Sequence, residues 1–426
     1  MATIAPFRGI LYNPRRVQKI ASVVAPPYDI ISEEAQKGFY RLSKYNIVRI
    51  ELGKCFRSDT DHENCYTRAR RFLREWLSEG ILQQDAGPAV YAYLQRFPKG
   101  RRQAERFGFV ALLKLEKEGY RSVYPHEHTL TRPKEDRLKL MGALRANVSP
   151  IFFLFPDKRR QVERLLRGAT RRGRPLWDIA LGREHHTFWR LNDPKILETL
   201  QGALKTKRLF IADGHHRFEV ALSLRDQMGY NFVMAYFSNL LDDSLVILPI
   251  HRLVRRLPFG QKELWKRLNR FFTVEEVGGI RSLLPRLSHS TRPYLYGMVV
   301  SDKPYLLKLR RGVSVSQLTS RCPHSSTWKR LEVTVLHEVI LKHILGFSEE
   351  KIRQEVVYER DLPACIKALN QGKYEVGFFL RPPRIQEVRR IALLREKMPQ
   401  KSTYFYPKPL TGLVMHHFAL PAREED

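Results

Sequence analysis

Apolar and polar positions alternate along this chain in a way that separates strands from helices, and one junction is sharper than the rest. Leu209, Phe210 and Ile211 form an apolar run that predicts the end of a buried strand. Phe218, Val220, Ala221 and Leu224 recur at helical spacing and predict the buried face of a helix. Between them stand Asp213, Gly214, His215, His216 and Arg217. Elsewhere, Tyr66–Ser78 reads as an amphipathic helix with Phe72, Leu73, Trp76 and Leu77 inward and Gly80 as its stop. Val90–Phe97 and Phe107–Leu115 read as two strands joined by a basic loop around Gly100. Tyr294–Val300 and Tyr305–Leu309 flank Ser-Asp-Lys-Pro as a hairpin, and Trp328–Leu345 reads as a helix ending at Gly346. Tyr374–Leu380 reads as a strand and Ile385–Lys397 as a helix. The expected class is α/β (α+β), in three parts: an N-terminal α/β lobe at 1–122, a core at 123–258 that holds most of the polar motifs, and a C-terminal α/β lobe at 259–426.

Composition narrows this picture. The 426 residues are 43% hydrophobic and 11% aromatic, enough for real cores. The four cysteines, Cys55, Cys65, Cys322 and Cys365, form no C-x-x-C pair and read as free thiols in a reducing compartment. The first ten residues lack the apolar core of a secretion signal, and no apolar run approaches the roughly 18 residues of a membrane span, so a cytoplasmic protein without membrane contact is expected. Lys and Arg number 75 against 44 Asp and Glu, a net charge of +31. That excess favours anionic partners, either phosphorylated metabolites or nucleic acid. Its densest stretch, Lys158–Arg174, carries a narrow apolar stripe of Val162, Leu165 and Leu166 behind Asp157, and reads as a solvated helix face with nonspecific, salt-sensitive attraction to polyanions.

The 213–217 turn has two readings. Asp213 is a natural helix N-cap, with the histidines as ordinary polar residues of a first turn. Alternatively, the turn is an anion site: helix-start N–H groups and the helix dipole favour an anion, Gly214 admits it to the backbone, and His215, His216 and Arg217 add donors. Phosphate is the simplest such ligand. Glu127, in Pro125-His-Glu-His128, is placed to act as a general base for a hydroxyl, with His126 orienting it or touching phosphate. Taken alone, Glu127 is better explained as a surface carboxylate paired to a neighbouring cation. Lys134 and Arg137 are one turn apart and could clamp further phosphoryl oxygens, or they are part of a charged first turn. Ala25–Asp29 is a stiff segment, and Lys401–Lys408 alternates like a strand, each either pocket lining or edge structure. The paired histidines lack the spacing of a zinc site, so no protein metal site is expected and magnesium would arrive on phosphate groups.

At these motifs the chain resembles the ParB/sulfiredoxin-like superfamily, and within it the free L-serine kinases. That resemblance rests on Pro125-His-Glu127 and Asp213–Arg217. It implies a ParB/sulfiredoxin-like core with additional lobes, nucleotide phosphates on the Asp213–Arg217 turn, and Glu127 as base for the serine hydroxyl. The whole chain is also similar to a widespread prokaryotic family long catalogued as a domain of unknown function. The shared motifs are Pro26–Asp29, Tyr45-Asn46, Pro125–Glu127, Lys134–Arg137, Ser149-Pro150, Asp213–Arg217, Pro249–Arg252 and Lys401–Lys408. Some members of this second family are held to be serine kinases using an inorganic phosphate donor, which leaves the donor open here. Two departures matter. An insertion must separate the two short motifs, and the sulfiredoxin cysteine is replaced by His215, which removes the nucleophile of a reductase. The expectation is a phosphotransferase acting on a small hydroxylated metabolite, foremost free L-serine to O-phosphoserine, with Mg2+ and ATP, ADP or pyrophosphate. The alternative is a ParB-like nucleic-acid- or nucleotide-binding regulatory protein without small-molecule catalysis.

Overall fold

The computed structural model describes residues 1–118 and 120–418. The architecture is mixed α/β, with several sheets and helices. Its contacts group into two compact units: residues 1–125, 129–246 and the segment from 407 onward, and residues 126–128 with 247–406.

The first unit is built on a nine-stranded sheet. Its order runs Val123–Tyr124, Leu209–Asp213, Ile151–Phe155, Phe232–Asn239, Arg102–Lys114, Val90–Lys99, Glu184–Leu191 and Trp177–Leu181, with Ile4–Ala5 also paired to Arg102–Lys114. The sheet is mixed. Leu209–Asp213 is antiparallel to Ile151–Phe155, which in turn is parallel to Phe232–Asn239. Strands from both sides of residue 122 share this sheet. The hairpin about Gly100 is longer than its apolar pattern: the strands Val90–Lys99 and Arg102–Lys114 carry the basic positions to the tip, where Gly100 takes φ +63°.

One face of the sheet packs an apolar layer in which Phe153 stacks on Phe237 and meets Phe218 edge-on at 5.9 Å. Phe218 thereby seats the helix His215–Met228 on the sheet, with Val220, Ala221 and Leu224 also buried. The opposite face is also buried, and there aromatic rings such as Tyr93, Phe152, Phe188 and Tyr236 surround a polar centre. Arg106, fully buried, donates from Nε to Gln95 Oε1 at 3.1 Å and grips the carbonyl of Pro407. Gln95 Nε2 donates to the carbonyl of Lys408 at 3.2 Å. These bonds lay the segment after Pro407 across the sheet, which decides where Lys408 points.

The second unit has a six-stranded antiparallel sheet in the order Phe272–Glu276, Lys303–Leu309, Leu295–Val300, Val376–Phe379, His251–Val254, Val356–Glu359. The expected hairpin is present and tighter: Ser301 and Asp302 both have positive φ, as a two-residue I′ turn demands, and Lys303-Pro304 already belong to the second strand. The expected helix at 328–345 differs more. Short helical turns at Ser326–Lys329 and Glu332–Thr334 precede a π-helix, Val335–Ile344, that buries Leu336, Val339 and Ile340. Over so few turns the two windings bury the same positions, so the apolar pattern cannot distinguish them. Among the described residues no helix is long and apolar enough to cross a membrane.

Candidate anion-binding site

The turn forms as the chain leaves a bulged strand. Pairing with Ile151–Phe155 loses register between Ile211 and Asp213, which re-aims Asp213 at the strand end. Gly214 then takes φ +95°, a left-handed conformation that a side chain would strain, and becomes the N-cap of the helix His215–Met228. A Cβ at this position would lie 3.0 Å from Arg217 Nη2. The first intrahelical bond runs from Phe218 N to Gly214 O at 2.9 Å, so the preceding N–H groups point out of the helix end.

Asp213 is therefore not the cap. Its Oδ2 accepts from Arg217 Nη2 at 2.7 Å, and its Oδ1 contacts Lys408 Nζ. Lys408 is buried and also donates to Asp29, so one ammonium joins the stiff N-terminal segment, the turn and the C-terminal segment. Burial works against that charge, but Asp213 and Asp29 outweigh it and raise the Lys408 pKa. Arg217 donates from Nη1 to Ser149 Oγ and to the carbonyl of Pro150, both at 2.8 Å. Ser149 Oγ donates in turn to Glu51 Oε1 at 3.2 Å.

Arg137 continues the network. Its Nη1 donates to the Glu51 carbonyl at 3.0 Å and to Oε1 at 3.2 Å, and its Nη2 pairs with Asp136 at 2.6 Å. Its guanidinium lies 4.0 Å from the centre of the Tyr28 ring. Burial raises the Tyr28 pKa to about 12, against the opposing pull of Arg137 and Arg217. Arg137 is thus a buried structural cation held by carboxylates. Lys134, on the same helix Thr131–Leu144, is partly exposed and lies 3.6 Å from Glu219. The two proposed clamp residues have different partners.

His215 is buried in the first helical turn. His216 accepts from Leu130 N at 2.8 Å through Nε2, a role that needs this nitrogen unprotonated. It anchors the chain at Leu130. His126 and Glu127 belong to the second unit. There His126 is buried, with Nε2 2.8 Å from Thr403 Oγ1, and Glu127 Oε1 accepts from Lys401 N at 3.3 Å. Glu127 also forms a parallel bridge with Met398. Arg252 donates to the carbonyls of Gln400 and Lys401, so three of the short motifs meet within that unit.

Sequence reasoning did not place Lys408, Asp29, Ser149 or Glu51 among the site residues. The first three stood in noted motifs whose partners are far away in the chain. Glu51 carries a weak signal of its own, as a carboxylate closing the run Ile47-Val-Arg-Ile-Glu51.

Three cations, Lys408, Arg217 and Arg137, thus face four carboxylates, Asp29, Asp213, Glu51 and Asp136, around a glycine-opened helix end. Such a network fixes the turn at the start of the helix. The potential metal-ligand clusters among the described residues are Cys55-Asp59-Cys65 and His337-Glu338-Glu349, neither of which contains a residue of the turn.

Fold and turn together define a mixed α/β protein with an ion-paired turn at a helix N-terminus. The chain belongs to the family described as protein of unknown function (DUF1015), whose model matches residues 4–334. No curated protein matches it. Among solved structures, a free serine kinase in complex with AMP aligns at 12% identity and a TM-score of 0.37, over 70% of this chain and 86% of that one. A conserved hypothetical protein from Pyrococcus furiosus aligns at 12% identity and a TM-score of 0.35, over 70% and 90%. SbnI with a C-terminal truncation, from Staphylococcus aureus, aligns at 14% identity and 0.35, over 71% and 85%.

Proposed function

We propose that this protein is a phosphotransferase that converts free L-serine to O-phosphoserine, with ATP, ADP or pyrophosphate as donor and Mg2+ carried on the donor's phosphates. The observation that carries the reading is the turn itself. Gly214 at φ +95° opens a helix N-terminus, and Asp213, Arg217 and Lys408 hold that turn rigidly. A preorganised set of N–H donors suits a phosphoryl group, because phosphoryl transfer depends mostly on positioning and charge neutralisation. The choice of serine rests on the resemblance of Pro125–Glu127 and Asp213–Arg217 to the free serine kinases, as does the ParB/sulfiredoxin-like reading of the core. Glu127 is assigned as the base that takes the hydroxyl proton, and His126, fixed by Thr403, as its neighbour.

Two variants separate the roles. Glu127→Gln should lower turnover by about 10²–10⁴ while leaving pyrophosphate binding intact. Gly214→Ala should weaken pyrophosphate binding in calorimetry, since the strained alanine displaces Arg217. Full activity in Glu127→Gln would remove the base, and unchanged pyrophosphate binding in Gly214→Ala would remove the cradle.

A further inference from the structure

The second unit contains a cavity of about 1110 Å³ that none of the motif chemistry above uses. Its volume slightly exceeds the roughly 300–1,000 Å³ of ordinary ligand pockets, so it suits something much larger than a phosphate ion. Half of its lining residues are apolar, among them Leu284, Leu287, Leu331, Leu362 and Leu380 beside Tyr294.

Five arginines also line the cavity, and they are not equivalent. Arg381 is committed to Glu332, donating from Nε to Oε2 at 3.2 Å and pairing again through Nη2. Arg360 lies 4.3 Å from the centre of the Tyr404 ring. Arg281, Arg330 and Arg384 are exposed, and among the described residues they form no ion pair. Glu387 reaches the cavity too, but its Oε2 accepts from the backbone N–H of Arg384 at 2.7 Å. His251, also on the lining, is 4% exposed, its ring 5.0 Å from that of Phe379, and its Nδ1 is buried without a hydrogen-bond partner. A buried ring nitrogen left unpaired costs free energy unless a ligand or water meets it.

We propose that this cavity binds an organic anion with a large apolar body, an aryl or acyl acid, whose body lies on the leucine wall and whose charged group meets Arg281, Arg330 and Arg384. Free inorganic anions lack the apolar contact, and a neutral hydrocarbon makes no use of the guanidinium groups that line the cavity. The site is independent of the phosphotransferase reading and of every residue assigned to it.

The probe is 1-anilinonaphthalene-8-sulfonate, an aromatic body with a fixed negative charge, titrated by fluorescence into the full-length protein. Its uncharged analogue N-phenyl-1-naphthylamine is titrated in parallel. The expected result is one saturable sulfonate site, displaced by dodecanoate. The double variant Arg330→Gln/Arg384→Gln should weaken the sulfonate by about tenfold and leave the neutral dye unchanged, because two partly exposed charge contacts are lost. Both side chains are exposed, and circular dichroism checks that the variant folds. Sulfonate binding that is absent, non-saturable, resistant to dodecanoate, or equally tight in the variant would overturn the proposal. So would an equal loss of the neutral dye.

Discussion

At the scale of single residues, the decisive cations are placed rather than merely abundant. Lys408 lies between Asp213 and Asp29. Lys408→Met keeps the aliphatic stem but leaves Asp213 short of a counter-ion, so stability in a denaturant titration should fall by about 3 kcal/mol. A loss below 0.5 kcal/mol would mean that this ion pair is not a structural tie. His251 gives a pH signature. Burial, and then the charge of Arg252, hold its pKa down from 6.5 to about 4. Between those values the unfolded chain binds a proton that the folded chain refuses, so stability is fully present above pH 6.5 and is lost as pH falls toward 4. The loss is roughly 3 kcal/mol from this group. Denaturation midpoints measured from pH 7 to 4.5 should show it, and His251→Phe should reduce the slope there, leaving the share of His416, which burial lowers likewise to about 4. At this scale the sequence disclosed the chemistry of the turn but not its partners. Asp213 looked equally like a cap, because nothing local reveals a lysine that arrives from residue 408.

At the scale of elements, the strand–turn–helix junction at 209–224 was the most readable part of the chain. Its strand is apolar to the last turn, its helix face repeats cleanly, and the observed bounds Leu209–Asp213 and His215–Met228 follow that pattern. The π-helix at Val335–Ile344 was not readable, since its buried positions also satisfy an α-helical pattern. Extended basic strand tips were missed for a related reason: Arg102 and Lys99 are exposed and carry no apolar signal, yet they remain paired in the ladder. Helix ends make a separate prediction. Arg145 closes the helix Thr131–Leu144 with φ +50°, a left-handed position at which glycine is unstrained. Arg145→Gly should stabilise the protein by about 0.5–1 kcal/mol, read as a higher denaturant midpoint at constant slope. A lower midpoint would show that the exposed Arg145 side chain stabilises more than its backbone strain costs.

At the scale of the whole molecule, a net charge of +31 coexists with extensive internal pairing. Even in the Lys158–Arg174 stretch, Arg167 pairs with Glu163 at 2.9 Å and with Glu105 at 3.1 Å, while Lys158, Arg159, Arg164, Arg171 and Arg172 stay exposed around the helix Gln161–Thr170. Duplex DNA binding at 50 mM salt should therefore fall by roughly two to three orders of magnitude at 200 mM, without base preference. Sequence-preferring binding that survives 200 mM salt would favour a nucleic-acid regulator over an enzyme. The charge was plain from composition, and its division into structural ties and solvated surface required the fold. The most direct test of the phosphotransferase reading is chemical. Purified protein is incubated with L-serine, Mg2+ and, separately, ATP, ADP or pyrophosphate, and O-phosphoserine is sought by mass spectrometry. The account predicts product with at least one donor, reduced by about 10²–10⁴ in Glu127→Gln; no product with any of the three would contradict it.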